Sequence, residues 1–186
     1  MAISLFVACD SDTAVDTTVD RGLLSDHLFE TEGKYFSTLQ DAVNYLSGTK
    51  ALSEKVIRLT MDAAGPGAII NDLDVVIDFD GHSYAFTDVT VKYNKDYKPG
   101  DDIEGTFGLM ITGSSKVILR NMSEPVTLQD DTDDLVMIFV EGDASKSKFS
   151  TVIVEGEFDL RVQDTQYVFW GANYANFFVG SDDYDD

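Results

Sequence analysis

Between Thr106 and Gln129 the chain reads TFGLMITGSSKVILRNMSEPVTLQ, with three short apolar runs, Leu109–Ile111, Val117–Leu119 and Val126–Leu128, each closed by a polar turn. Within each run alternate residues are apolar, the period of a strand with one buried face. Gly113-Ser114-Ser115 supplies the first turn, and Asn121 with Ser123-Glu124-Pro125 the second. These linkers are too short for a crossover helix and lack the Asn-Gly or Asp-Gly of a tight hairpin. The pattern predicts a chain that bends between short strands, as one coil of a β-solenoid does. The same alternation appears elsewhere. Ile57, Leu59 and Met61 share one face of Val56–Met61, opposite Arg58 and Thr60. Asp74–Asp80 turns Val75, Ile77 and Phe79 inward and Val76, Asp78 and Asp80 outward, and Tyr84 and Phe86 continue the buried set. Val89–Tyr93, Thr151–Val154 and Phe158–Val162 alternate as well, the last two around Gly156. Leu135–Val140 is apolar throughout, which fits a strand buried on both faces or at a subunit contact. Ala63–Gly67 reads as a turn, and Asn94–Gly105 and Glu141–Ser150 as polar loops.

One stretch has a different period. In Ser37–Gly48, STLQDAVNYLSG, the residues Leu39, Ala42, Val43 and Leu46 fall at i, i+3, i+4 and i+7, a single helical face. Ser37 or Thr38 caps its start and Gly48 its end. A solenoid exposes an apolar end at its first coil, and a helix placed just before the first strands is suited to cover it. Ahead of it, the run Ile3–Ala8, a Thr- and Asp-rich stretch and the group Leu23, Leu24, Leu28 and Phe29 read as a separate arm. The expected organisation is therefore an arm over 1–34, a β domain over 35–180 with its helix at 37–48, and an acidic tail over 181–186.

GLMITGSSKVILRNM resembles a rung of the right-handed parallel β-helix proteins, the pectin-lyase-like superfamily of lyases, phage tailspikes and surface adhesins. The helix with its F-x-T-L-Q-x-A-V character is similar to those that precede the first rung in many of them. VVIDFDGHSYAF resembles the V-x-I-D-x-x-G-H segment of bacterial surface β-helices. The runs starting at Val75, Val117 and Val152 are offset by 42 and 35 residues, too irregular for a strict hexapeptide or nonapeptide repeat. Irregular coils with loops thrown out at the turns are what this superfamily has; a jelly roll or sandwich is the alternative. The resemblance implies a mainly β fold, a short right-handed parallel β-helix with an N-terminal capping α-helix and an N-terminal arm. It constrains architecture far more than activity.

Charge narrows the partners. With 34 acidic and 13 basic residues the net charge is −21 and the pI near 4.1. Such a surface repels nucleic acid and acidic membranes and leaves cationic partners, divalent cations or plain solubility. Cys9 is the only cysteine, so an intrachain disulfide and a multi-cysteine metal site are both excluded. Phe6-Val7-Ala8-Cys9 faintly resembles a lipobox, but no Lys or Arg precedes it and the apolar run is short, so no lipid anchor is expected. No segment approaches the ~20 apolar residues of a membrane span.

For chemistry, the resemblance implies acidic calcium ligands with a basic proton acceptor in lyases, or paired carboxylates in tailspike hydrolases. Asp78 and Asp80 are the best-placed pair. Only four arginines exist, Arg21, Arg58, Arg120 and Arg161, none in a recognisable lyase motif. His27 and His82, the two histidines, lack a ligand spacing, and His82 reads as a turn residue. The acidic clusters at Asp101-Asp102, Asp130–Asp134 and Asp182–Asp186 lack the pattern of a dedicated calcium loop and suit only weak surface Ca²⁺ or Mg²⁺. No catalytic, cofactor or dedicated metal residue is expected.

The expected function is that of a non-catalytic structural protein on a virion surface, a phage capsid decoration or head-fibre subunit, working as a homo-oligomer, a trimer, on a larger scaffold such as a capsid. The expected attachment residues are Ile3, Leu5, Val7, Leu24, Leu28 and Phe29 in the arm. The expected oligomer contacts are Val136 and Ile138 and the C-terminal aromatics Trp170, Tyr174, Phe177 and Phe178, part of a cluster that also holds Tyr167 and Phe169. The alternatives are a bacterial surface adhesin or glycan-binding module, and a small carbohydrate-active enzyme.

Overall fold

The computed structural model describes residues 6–7, 27–49, 54–88, 107–132, 136–163 and 166–180. In chain order the elements are β1 (Phe6–Val7), β2 (Phe29–Thr31), β3 (Lys34–Phe36), α1 (Leu39–Ser47), β4 (Val56–Leu59), β5 (Ala63–Pro66), β6 (Ala68–Asn71) and β7 (Val75–Asp78). There follow β8 (Tyr84–Asp88), β9 (Phe107–Thr112), β10 (Lys116–Asp130), β11 (Val136–Glu141), β12 (Ser150–Arg161), β13 (Tyr167–Ala172) and β14 (Ala175–Val179). The described residues are thus mainly β with one short helix, arranged as a ten-stranded and a four-stranded sheet.

The pairing is parallel nearly throughout, and it recurs in one order. β4, β5 and β6 are matched by β7, β8 and β9 respectively. The first part of the long strand β10 pairs with β7 and its last part with β8, while β11 pairs with β9. β12 follows both parts of β10, β13 pairs with β11, and β14 pairs with the first part of β12. β1 adds to the last part of β12. Among the described strands only β2 pairs antiparallel, with β3 and with β4. Each pass of the chain therefore visits the same three ladders in the same sequence.

Parallel register stacks like on like. Ile57, Ile77, Leu119 and Val154 form one interior column, and Val75, Val117 and Val152 form a second; all are buried in the main core. The Ile77, Leu119 and Val154 alignment is the one that the alternating runs predict. The opposite face of the same strands is less simple. Val76, Ile118 and Ile153, which alternation turns outward, are also buried, in a separate aliphatic cluster flanked by Val56.

The helix matches its pattern. Leu39, Ala42, Val43 and Leu46 are its buried residues, Thr38 Oγ1 accepts from the Asp41 N–H at 3.1 Å, and Gly48 closes it. It lies against β6 and the β2–β3 hairpin. Gln40 accepts from the Ile69 N–H at 2.7 Å and donates back to the Ile69 carbonyl at 3.2 Å, so one side chain serves the backbone edge of β6 where a neighbouring strand would.

Several segments differ from their sequence reading. Ala63–Pro66 forms an edge strand rather than a turn, tolerating Pro66 because β5 pairs on one side only, with a bulge at Gly65/Pro66. Asn121–Pro125 does not break the chain into two strands, because the ladder to β12 runs through it as a register shift between Asn121 and Val126. The folded unit reaches back into the expected arm. Phe29 is buried against Tyr84 with ring centroids 5.5 Å apart, and Leu28 packs on the same core, so both belong to the folded unit. Val89–Tyr93 and Asn94–Gly105 lie outside the described residues.

Candidate functional site

Three arrangements bring polar or apolar groups together across the ladders. The first is a row of charge on one sheet face. In register, Glu30 lies opposite Arg58, Arg58 opposite Asp78, Asp78 opposite Arg120, and Arg120 opposite Glu155. Sign alternates across five strands. Arg120 Nε donates to Glu155 Oε2 at 2.7 Å, and its other end reaches Glu54 at 3.9 Å. The Glu155 hydrogen bond, opposed by partial burial, raises the Arg120 pKa further above its ordinary value, with the fields of Glu155, Glu54 and Asp78 assisting. Arg58 spans Glu30 at 4.0 Å and Asp80 at 3.7 Å. Asp78 accepts from the Asp80 N–H at 3.1 Å, and Asp80 sits past the end of β7 with a positive φ of 47°. The two carboxylates that sequence presents as an unpartnered pair on one strand face are therefore a strand member and a turn member, both beside arginines.

The second arrangement is a set of polar corners. Asn121 is buried; it accepts from the Gly81 N–H at 3.1 Å and donates to the carbonyls of Glu124 at 2.8 Å and Glu157 at 3.0 Å. One amide thus ties three layers where the chain bends. At another corner Ser115 Oγ donates to the Thr112 carbonyl at 2.8 Å and accepts from the Leu73 N–H at 3.1 Å, while Ser150 Oγ accepts from the Ser115 N–H at 3.4 Å. At a third, Asp62 accepts from the Ser83 N–H at 2.9 Å and lies 3.6 Å from His82 Nδ1. Each corner meets backbone groups that a bend in a sheet would otherwise leave unbonded. His82 is indeed in a turn, its N–H donating to the Phe79 carbonyl at 2.8 Å. The His27 and Tyr35 rings lie 5.0 Å apart, tilted by 57°.

The third arrangement is the edge made by β13 and β14. Here the stacked columns reach their last member: Val152 is followed by Phe177 and Val154 by Val179. The members before them are buried, whereas Phe177 is 36% and Val179 is 41% exposed. Tyr167, Trp170, Tyr174 and Phe178 are exposed too, with Phe149 against Tyr174 at 5.2 Å and Tyr167 against Trp170 at 5.8 Å. No Asp, Glu, Lys or Arg lies between Asp164 and Asp182, the longest uncharged stretch of the chain. That gap in the charge was legible in the sequence and is a sharper signal than the aromatic count.

Comparison with protein-family models, with curated proteins and with solved structures finds no match. What the chain does has to be read from its own geometry.

Of the expected contact residues, Trp170, Tyr174, Phe177 and Phe178 gather at this edge. Val136 and Ile138 do not, since both are 0% exposed within the subunit. The run they belong to is apolar because β11 is buried on both faces: Ile138 joins the main core, and Val136 packs with Phe107, Met110 and Phe139 on the other side. Val7 lies in β1, paired through its backbone with Leu160. Ile3, Leu5 and Leu24 lie outside the described residues, as do Asp101-Asp102 and Asp182–Asp186. Among the described residues no group of three or more His, Cys, Asp or Glu is arranged to hold a metal, and no helix is long and apolar enough to cross a membrane. Asp130 is buried and accepts from the Thr132 N–H at 3.0 Å.

The turn after β11 carries a carboxylate with a clearly lowered pKa. Asp143 is paired with Lys146 Nζ at 2.7 Å and accepts from Ser145 Oγ and from the N–H groups of Ser145 and Lys146. The Lys146 contact foremost, then Ser145, holds its carboxyl at about 2, and Lys146 is raised in return. A depressed carboxylate stabilises the turn above the ordinary carboxylate range, and that contribution fades as pH falls from about 4 to about 2. An NMR titration should find the Asp143 carboxyl carbon moving near the lower value, with the turn intact at pH 5. A midpoint in the ordinary range would refute the contact.

Proposed function

We propose that this chain is a non-catalytic structural subunit that works by contact on the surface of a larger protein assembly, a virion, as a capsid decoration or head-fibre subunit. The architecture we infer is a short parallel β-helix capped by α1. Three ladders visited in a fixed order support it, and parallel connections of this kind are right-handed by general rule.

The observation that carries the function is the contrast between the two ends of the stack. At one, α1 and Gln40 seal β6; at the other, β13 and β14 present an uncharged aromatic edge. A surface from which charge has been removed, in a chain of net charge −21, suits the core of a protein–protein contact. The subunit is therefore a homo-oligomer held on a scaffold, and the manner in which it self-associates fixes whether two or three copies join. The engagement of Asp78 and Asp80 with arginines favours a structural role for those carboxylates. Strong negative charge disfavours nucleic acid and anionic membranes as partners, and any Ca²⁺ or Mg²⁺ binds weakly at the surface.

Tyr167 and Trp170 offer exposed ring faces of the kind that stack on sugars, which favours one second reading, a glycan-binding module of a bacterial surface adhesin.

The test is threefold. Antibody raised against the chain should label the surface of virus particles purified from its source, and the protein should bind particles stripped of it. Deleting residues 1–26 should abolish that binding if the arm attaches the subunit. The protein should leave host capsular and cell-wall glycans uncut. Unlabelled particles together with saturable glycan binding lost in Trp170→Ala would replace the virion reading with the adhesin one. Glycan cleavage that vanishes in Asp78→Asn would replace both with an enzyme.

A further inference from the structure

We propose that two copies of the chain join tail to tail, the β14 strand of each pairing antiparallel with the β14 strand of the other across a two-fold axis. This rests on the reading that the β13–β14 edge is a contact surface, and specifies its occupant as a second copy of the same chain.

Three observations select that occupant. The interior columns are unfinished at this end. Ile57, Ile77, Leu119 and Val154 are all buried, and the next residue in the column, Val179, is 41% exposed. The same step takes Val152 to Phe177. A further layer of apolar side chains is what would complete both columns. The backbone is unfinished too, since β14 pairs with β12 alone among the described strands, and a strand edge of this kind accepts another strand.

Charge then discriminates between partners. A basic partner would be met by carboxylates within the patch, yet the stretch between Asp164 and Asp182 has none. An acidic partner needs that absence, and a second copy, with its net charge of −21, is such a partner.

The opposite end decides the orientation. β6 is covered by α1 with its backbone held by Gln40, and β4 is covered by β2 running antiparallel. Head-to-tail stacking would require one of those covers to be removed. Among the described strands β4, β5 and β6 the one edge left at that end is β5, bulged at Gly65/Pro66 and unfit to take a strand, so the open end meets itself, and an isologous contact closes at two copies. Antiparallel pairing of β14 with its own copy sets Phe177, the middle residue of the strand, near the axis.

Light scattering on the full chain over a concentration series should show a monomer–dimer equilibrium. Because the two bodies repel, raising salt should strengthen the dimer, as screening removes that repulsion; a basic partner's binding would weaken. Ala175→Cys, Phe177→Cys and Val179→Cys, each in a Cys9→Ser background, report the geometry. At least one should give a disulfide-linked dimer on oxidation, each variant being first shown by circular dichroism to fold as the parent does. Val179→Asp, folded by the same criterion, should weaken the dimer by about tenfold or more. A trimer, or a dimer in which none of the three positions cross-links to its own copy, overturns the tail-to-tail pairing and leaves the contact reading standing. A monomer at every concentration and salt overturns the pairing and self-association together, while particle labelling would still speak for attachment.

Discussion

Replacing Gly156 by Ala is expected to destabilise the protein by about 4 kcal/mol or more, among the largest effects a single methyl can have. Gly156 lies in the middle of β12, directly opposite Asn121, with φ at +93°. An added Cβ would stand 1.7 Å from the Asn121 carbonyl oxygen and 2.7 Å from its carbonyl carbon. Neither atom belongs to a flexible side chain that can swing away. The backbone of β10 would have to retreat, and it would drag with it the Asn121 side-chain amide, which is bonded to Gly81, Glu124 and Glu157. A left-handed conformation alone costs a non-glycine residue about 1–3 kcal/mol, and the collision adds to it. Chemical denaturation of the purified variant measures the loss; a change under about 1 kcal/mol would mean that the bend between the two halves of β12 leaves room for a side chain.

Leu119→Ala should lower stability by about 2–5 kcal/mol. Leu119 is 0% exposed and sits between Ile77 and Val154, so both of its neighbours in the column lose a partner. The backbone ladders on each side hold β7, β10 and β12 at fixed spacing, which limits how far the layers can collapse into the space. The upper half of the range is therefore expected. Thermal and urea unfolding compared with the parent would check it, and Leu119→Met, which preserves volume, should cost under about 1.5 kcal/mol.

The sequence carried these two sites unequally. Alternation alone put Ile77, Leu119 and Val154 on a buried face, and their alignment in one column follows from parallel pairing. Helical spacing likewise gave all four buried residues of α1, because period is a local property and survives without knowledge of the fold. Gly156 and Asn121 were visible only as turn residues; that each is the other's neighbour depends on a register 35 residues apart. The partners of Asp78 and Asp80 were hidden for the same reason, since Arg58 and Arg120 meet them only across ladders. Val136 and Ile138 misled because an all-apolar strand has two physical causes, a second buried face or a neighbouring subunit, and composition does not separate them. Phe29 reads as part of the arm because three residues of strand are too few to show a period. The contact edge was the reverse case: its aromatic residues were legible from the start, but only the capped opposite end gave it a direction.

The alternating row of Glu30, Arg58, Asp78, Arg120 and Glu155 has a consequence for how the layers find their order. β4, β7, β10 and β12 offer similar short apolar runs, and hydrophobic fit alone distinguishes poorly among them. A chain that skipped a layer and laid β10 directly on β4 would bring Arg120 face to face with Arg58, and one that laid β12 on β7 would oppose Glu155 to Asp78. Like charges directly opposite one another destabilise a strand pair, whereas each native step joins opposite signs. The row thus works as a parity check, one bit per strand, which rejects any arrangement with a single layer left out.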